Sequence, residues 1–152
     1  KSLMQMDDAL KRRFVFEEIM PDTKLLEEHL SKENKVSNAD HYSKILKRIN
    51  EKITGDGKNK EAMMQFRDRQ IGHSYFWDIG TKNNPDNDFQ SIIKYDIIPL
   101  LQDYFYGDYS KIREILANGD DDYAIIGKDN RTTELVNDIS QSLELKKYLL
   151  KI

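Results

Sequence analysis

The stretch IIKYDIIPLLQDYFY, residues 92–106, decides the fold. Ile92, Ile93, Ile97, Ile98, Leu100, Leu101, Tyr104 and Phe105 make the strongest apolar segment of the chain, wide enough around a helical wheel to be the central helix of a bundle. Pro99 interrupts it. Proline removes one helical hydrogen bond and crowds the preceding turn, so a kink or a restart is expected there rather than a straight rod.

Working outward, the flanking sequence repeats the helical period. Asp22 is a good N-cap for a short amphipathic helix carrying Leu25, Leu26, His29 and Leu30, which fades in the polar segment 31–37. Ser37 and Asp40 resemble a capping pair for the next helix, whose face is Tyr42, Ile45, Leu46, Ile49 and Ile53. Residues 54–59, TGDGKN, end it as a turn. Ala62, Met63, Phe66 and Arg67 then lead helically into IGHSYFW, residues 71–77. TKNNPDND, residues 81–88, is a loop by composition. Asp108 can cap a helix bearing Ile112, Ile115 and Leu116, closed by Asn118 and Gly119. Asp120, Asp121 and Asp122 read as a solvated turn, 123–126 as a short strand, and Ile139, Leu143, Tyr148, Leu149 and Ile152 as a closing helix.

The beginning of the chain has a different character. Residues 7–13 predict a short helix with acids first and bases last, as the helix dipole favours. FVFEEI, residues 14–19, then offers a β-type run halted by Met20-Pro21-Asp22. A lone strand needs partners. With Lys1 leading almost directly into this pattern, the sequence reads as a piece of something longer, and its fold class as mainly α.

Composition narrows the function. The chain has 152 residues, 38% hydrophobic and 34% charged, which suits one soluble domain or two small lobes. No apolar window reaches membrane-span length, and the first residues lack a signal-peptide core, so a cytoplasmic location is expected. Cysteine is absent, which removes disulfides, thiolate nucleophiles and Cys-rich zinc sites. His29, His41 and His73 lack the close spacing of a helical metal motif. A net charge of −3 argues against a surface that binds polyanions as a whole.

Familiar active-site patterns fail at identifiable positions. Gly55, Gly57 and Lys58 do not have phosphate-loop spacing. Counting a calcium loop from Asn84 puts Phe89 at its glycine and Tyr95 at its glutamate. Gly72-x-Ser74 begins like a nucleophile elbow, but Phe76 occupies the second glycine position. Two features are left. Arg12 and Arg13 close a short helix at a domain edge, where charge alone says only that they complement its dipole, although a planar guanidinium fork also suits a phosphate. The other is IGHSYFW itself, a glycine, an imidazole and a hydroxyl followed by three aromatics.

Taken together, these segments resemble a known family. Ser2-Leu3 followed by MDDALKRRFVF, residues 6–16, is similar to the end of an AAA+ core, where an arginine-finger helix runs into the last core strand. IGHSYF (71–76) and IPLLQDYFY (98–106) resemble the lid of the McrB-type GTPase subunit of methylcytosine-dependent restriction systems. The resemblance implies a division into 1–22, the remnant of an α/β AAA+ core, and 23–152, a helical lid. It implies a parent that uses GTP and Mg2+ in a homo-oligomeric ring, with an McrC-like nuclease subunit as partner and DNA bound through a separate N-terminal module. Arg12 and Arg13 would act as arginine fingers in a neighbouring subunit's site; Lys11 stands where the family has a third arginine. Gly72, His73 and Ser74 would face the nucleotide, with Tyr75, Phe76 and Trp77 anchoring them. Because the phosphate loop and magnesium strand are absent, the chain alone is expected to be catalytically silent. A helical protein-interaction module of AAA+ descent without NTPase activity, docking through Tyr104–Tyr106, is the rival, and DNA binding by the patch at Lys11–Arg13 a weaker third.

Overall fold

The computed structural model describes residues 19–55, 60–106, 108–116 and 142–151. Among these residues the fold is helical, with no strand. Arg12, Arg13, the helix and most of the strand expected over 7–19, the turn at 118–122 and the strand expected at 123–126 lie outside the described residues.

Helix α1, Thr23–Lys32, begins as expected: the Asp22 carboxylate accepts from the Leu25 amide at 2.9 Å. Its buried edge is Leu26 and Leu30, while Leu25 turns outward and is 46% exposed. Helix α2, Ala39–Ile53, packs on α1 and buries all five apolar residues assigned to its face. Its N-cap is Asn38 rather than Ser37, and no side chain caps it. Three residues past Asp40, the single Ser43 hydroxyl hydrogen is instead shared between Glu27, at 2.9 Å, and the Asp40 carbonyl, joining α1 to α2.

Helix α3, Lys60–Phe66, leads through a 3-10 turn at Arg67–Arg69 into the 71–77 stretch. The loop expected over 81–88 ends early, because helix α4, Pro85–Ile92, starts within it. Asn84 caps the Asn87 amide at 2.9 Å and Pro85 opens the first turn. The same Asn, Pro and Asp residues that signal a loop also favour a helix N-terminus. Asp88, expected in solvent, is buried: Oδ2 accepts from the amides of Gly80, Lys82 and Asn83 at 2.9–3.1 Å.

The chain stays helical from α4 through α5, Ile98–Tyr104, but changes its hydrogen-bond register between them. Ile93–Ile97 form a π-turn, and the Ile98 amide reaches back to the Ile93 carbonyl. Pro99 can give no amide hydrogen to the preceding turn, and widening that turn also relieves the crowding of its ring. The expected irregularity therefore takes the form of a register change. Helix α6, Tyr109–Leu116, is capped by Asp108 through the Lys111 amide at 3.1 Å. Helix α7, Ser142–Leu149, packs on α4. Ile45, Leu46, Ile49, Phe76, Phe89, Ile93, Ile97 and Leu101 share one core, in which Phe76 meets Phe89 edge-on at 5.5 Å. Among the described residues no helix is long and apolar enough to cross a membrane.

Candidate functional site

The 71–77 stretch is fixed to the bundle before it presents any polar group. Asn50 sits one residue past Ile49 on the apolar face of α2, buried, with its amide paired to both backbone groups of Ile71. The Ile71 amide donates to Oδ1 at 2.7 Å and Nδ2 donates to the Ile71 carbonyl at 2.9 Å. An amide side chain thus does for one residue what a neighbouring strand would do. Ile71 is itself fully buried, so the backbone entering Gly72 has little freedom.

Gly72 lies in extended backbone, φ −67 and ψ 148, which any residue can adopt. A Cβ there would meet only Ser74 Oγ, at 3.5 Å, an ordinary contact. Nothing in the described residues requires glycine at this position. His73 opens a 3-10 turn, His73–Phe76, that packs on α1 and α4. Its Nδ1 accepts from the Asp22 backbone amide at 3.0 Å. Ser74 is exposed and His73 partly so.

The three aromatics divide. Phe76 is fully buried and serves as the anchor expected of it. Trp77 is partly buried, with the His29 ring stacked on it at 3.5 Å and nearly parallel. The Trp77 carbonyl accepts from His29 Nε2 at 3.2 Å and from Asn34 Nδ2 at 2.8 Å, and Asn34 also holds the Ile79 carbonyl at 2.9 Å. Tyr75, expected as a third anchor, turns outward at 38% exposure, because a 3-10 turn that buries residue 76 directs the preceding residue to another face.

The second motif borders the first. Arg69 donates to the Tyr104 carbonyl at 2.6 Å, closing the end of α5, and lies over the rings of Phe66 and Phe105 at 5.3 and 5.8 Å. Burial raises the Tyr104 phenol above its ordinary value; nearby Tyr75 and Asp68 add to this and Arg69 opposes it. Of Tyr104, Phe105 and Tyr106, only Tyr106 is freely exposed, at 86%. The aromatic run is mostly committed to the fold.

Sequence reasoning singled out Gly72, His73 and Ser74, and the structure places them side by side on one turn. It missed the groups that fix the surroundings of this turn: Asn50 at Ile71, Asn34 at Trp77 and Ile79, Arg69 at Tyr104, and the Asp22 amide at His73 itself. Asn50 had a readable signal, an amide set in a stripe of isoleucines. The Asp22 contact spans 51 positions and uses a backbone group, so no residue pattern could reveal it. Among the described residues no group of three or more His, Asp or Glu could hold a metal ion.

Residues 41–113 match the family model described as McrB, alpha-helical lid domain. That span contains both IGHSYFW and IPLLQDYFY. The chain is also similar to the type IV methyl-directed restriction enzyme EcoKMcrB subunit of Escherichia coli (strain K12), 34% identical over 114 residues, covering 71% of this chain and 24% of that protein. The chain therefore corresponds to about a quarter of that relative's length. No solved structure matches. Helical architecture, the matched span and the relative agree: the chain belongs to the McrB family, and residues 41–113 are its α-helical lid.

Proposed function

We propose that this chain is the C-terminal part of an McrB-like GTPase motor of a modification-dependent restriction system. Residues 1–22 finish the AAA+ core and 23–152 form the lid over the nucleotide. Gly72, His73 and Ser74 face GTP bound with Mg2+ between core and lid. Arg12 and Arg13 reach the site of the next subunit in a homo-oligomeric ring, where they offset charge on the transferring phosphoryl group. An McrC-like nuclease is the partner, DNA is bound by a separate module, and the assembly works in the cytoplasm.

The observation that carries this reading is the footing of residues 72–74. They lie inside the matched lid span, entered through Ile71 backbone that Asn50 holds and with the His73 ring held by the Asp22 amide, while Ser74 remains open to solvent. A turn so firmly supported that leaves polar groups outward suits contact with a ligand, because little ordering is left to do on binding. In the full-length protein, His73→Ala with Ser74→Ala is expected to weaken GTP binding roughly tenfold or more, the scale of one or two lost hydrogen bonds. Titration calorimetry measures it; unchanged affinity would reduce the turn to a structural role.

A further inference from the structure

We propose that His73 is held with Nδ1 as acceptor and Nε2–H as a free donor, so that the group it meets on the nucleotide is a hydrogen-bond acceptor. The proposal rests on the reading that residues 72–74 face nucleotide, and adds which atom of the ring acts.

The argument starts from Asp22. A backbone amide can only donate, so the ring nitrogen receiving it at 3.0 Å must present a lone pair. Nδ1 is therefore unprotonated. A neutral imidazole has one proton, which leaves it on Nε2. Among the described residues Nε2 has no hydrogen-bond partner: Trp77 lies near the ring only as a tilted neighbour, with centroids 6.1 Å apart. The donor is thus prepared and left free.

Asp22 adds a second consequence. Its carboxylate caps α1 through Leu25 while its amide holds His73, so one residue sets both the first turn of the lid and the ring's tautomer. In the proposed division Asp22 is also the last residue before the lid.

Two substitutions separate the ring's halves, since an Asn amide stands in for Nδ1 and a Gln amide reaches the place of Nε2. In full-length protein, His73→Asn should keep the unfolding midpoint near wild type and lose roughly tenfold in GTP affinity. His73→Gln should do the reverse, holding affinity within about threefold while lowering the midpoint. Nitrogen-15 spectra of the 152-residue chain should show a pyridine-like Nδ1 and a protonated Nε2. A proton on Nδ1, or wild-type GTP affinity in His73→Asn with loss in His73→Gln, overturns the proposal. Wild-type affinity in His73→Ala overturns the underlying reading, and the proposal with it. Repeating the titration with 2-aminopurine riboside triphosphate, which lacks the base carbonyl, narrows the acceptor: a vanished penalty in His73→Asn assigns that carbonyl, a persisting one an acceptor elsewhere on the nucleotide. Either supports the donor role.

Discussion

Asn50 and Asp88 are each a polar residue inside an apolar setting, and each organises backbone that has no helix of its own to satisfy it. Removing the Asn50 amide strands the N–H and C=O of Ile71 in the core. Asn50→Ala is therefore expected to destabilise the chain by about 2–4 kcal/mol, read from urea unfolding, with His73 drifting from Asp22. Asp88 gives a pH signature. Burial opposes its charge, but the amides of Asn83, Lys82 and Gly80 together outweigh that and hold its carboxyl below the ordinary 3.8. The unfolded chain then takes up this proton at higher pH than the folded one. Its contribution is complete above the ordinary carboxylate value and is lost as pH falls through the lowered folded one. Asp88→Asn should lower stability at neutral pH by about 1–3 kcal/mol and flatten the acid limb of the stability curve. An acid limb as steep as wild type would show that another carboxylate governs it.

The elements were more legible than their joints. Periodicity located α1, α2, α6 and α7 because apolar residues at helical spacing have one efficient way to leave water, and a fully buried Leu or Ile contributes about 1.5–3 kcal/mol. It placed Pro99 correctly as an irregularity but could not say which kind, since a proline relieves its clash by a bend, a break or a wider turn. It mistook the start of α4 for loop because Asn84-Pro85-Asp86 serves both structures. The docking of α7 was illegible for a different reason: it depends on a charge. Lys146, in the middle of that helix, is buried with its ammonium 2.5 Å from Asp86 and lies over the Tyr42 ring at 5.3 Å. The Tyr42 hydroxyl donates to the same Asp86 oxygen at 2.6 Å. Burial, reinforced by Asp86, pushes the Tyr42 phenol far above its usual range, so it stays a donor. Lys146→Ala leaves Asp86 under-compensated and should cost about 3–5 kcal/mol. In a double-mutant cycle with Asp86→Ala the second change should cost much less than it does alone; additive losses would mean the two charges act separately.

At the scale of the whole molecule, the lid was legible and its candidate site only in outline. The motifs at 71–76 and 98–106 pointed to the family because each joins residue types that core packing alone does not ask for, and both fall within the matched lid. Their contact through Arg69 and Tyr104 was not readable, since it uses a carbonyl at the end of α5. Arg12 and Arg13 lie outside the described residues, and the proposed finger role is tested in the full-length protein. Two full-length variants separate the contributions of one subunit. On the proposed reading, Arg12→Ala with Arg13→Ala keeps its own lid but would give its neighbour no finger, and His73→Ala with Ser74→Ala keeps its fingers but would have a weakened lid. Each alone should lose GTP turnover, the finger variant by roughly 10³-fold or more. The decisive measurement is the turnover of an equal mixture of the two. Recovery well above the mean of the separate activities is predicted, since some interfaces then pair an intact lid with an intact finger from the next subunit; a mixture no more active than that mean would contradict the account.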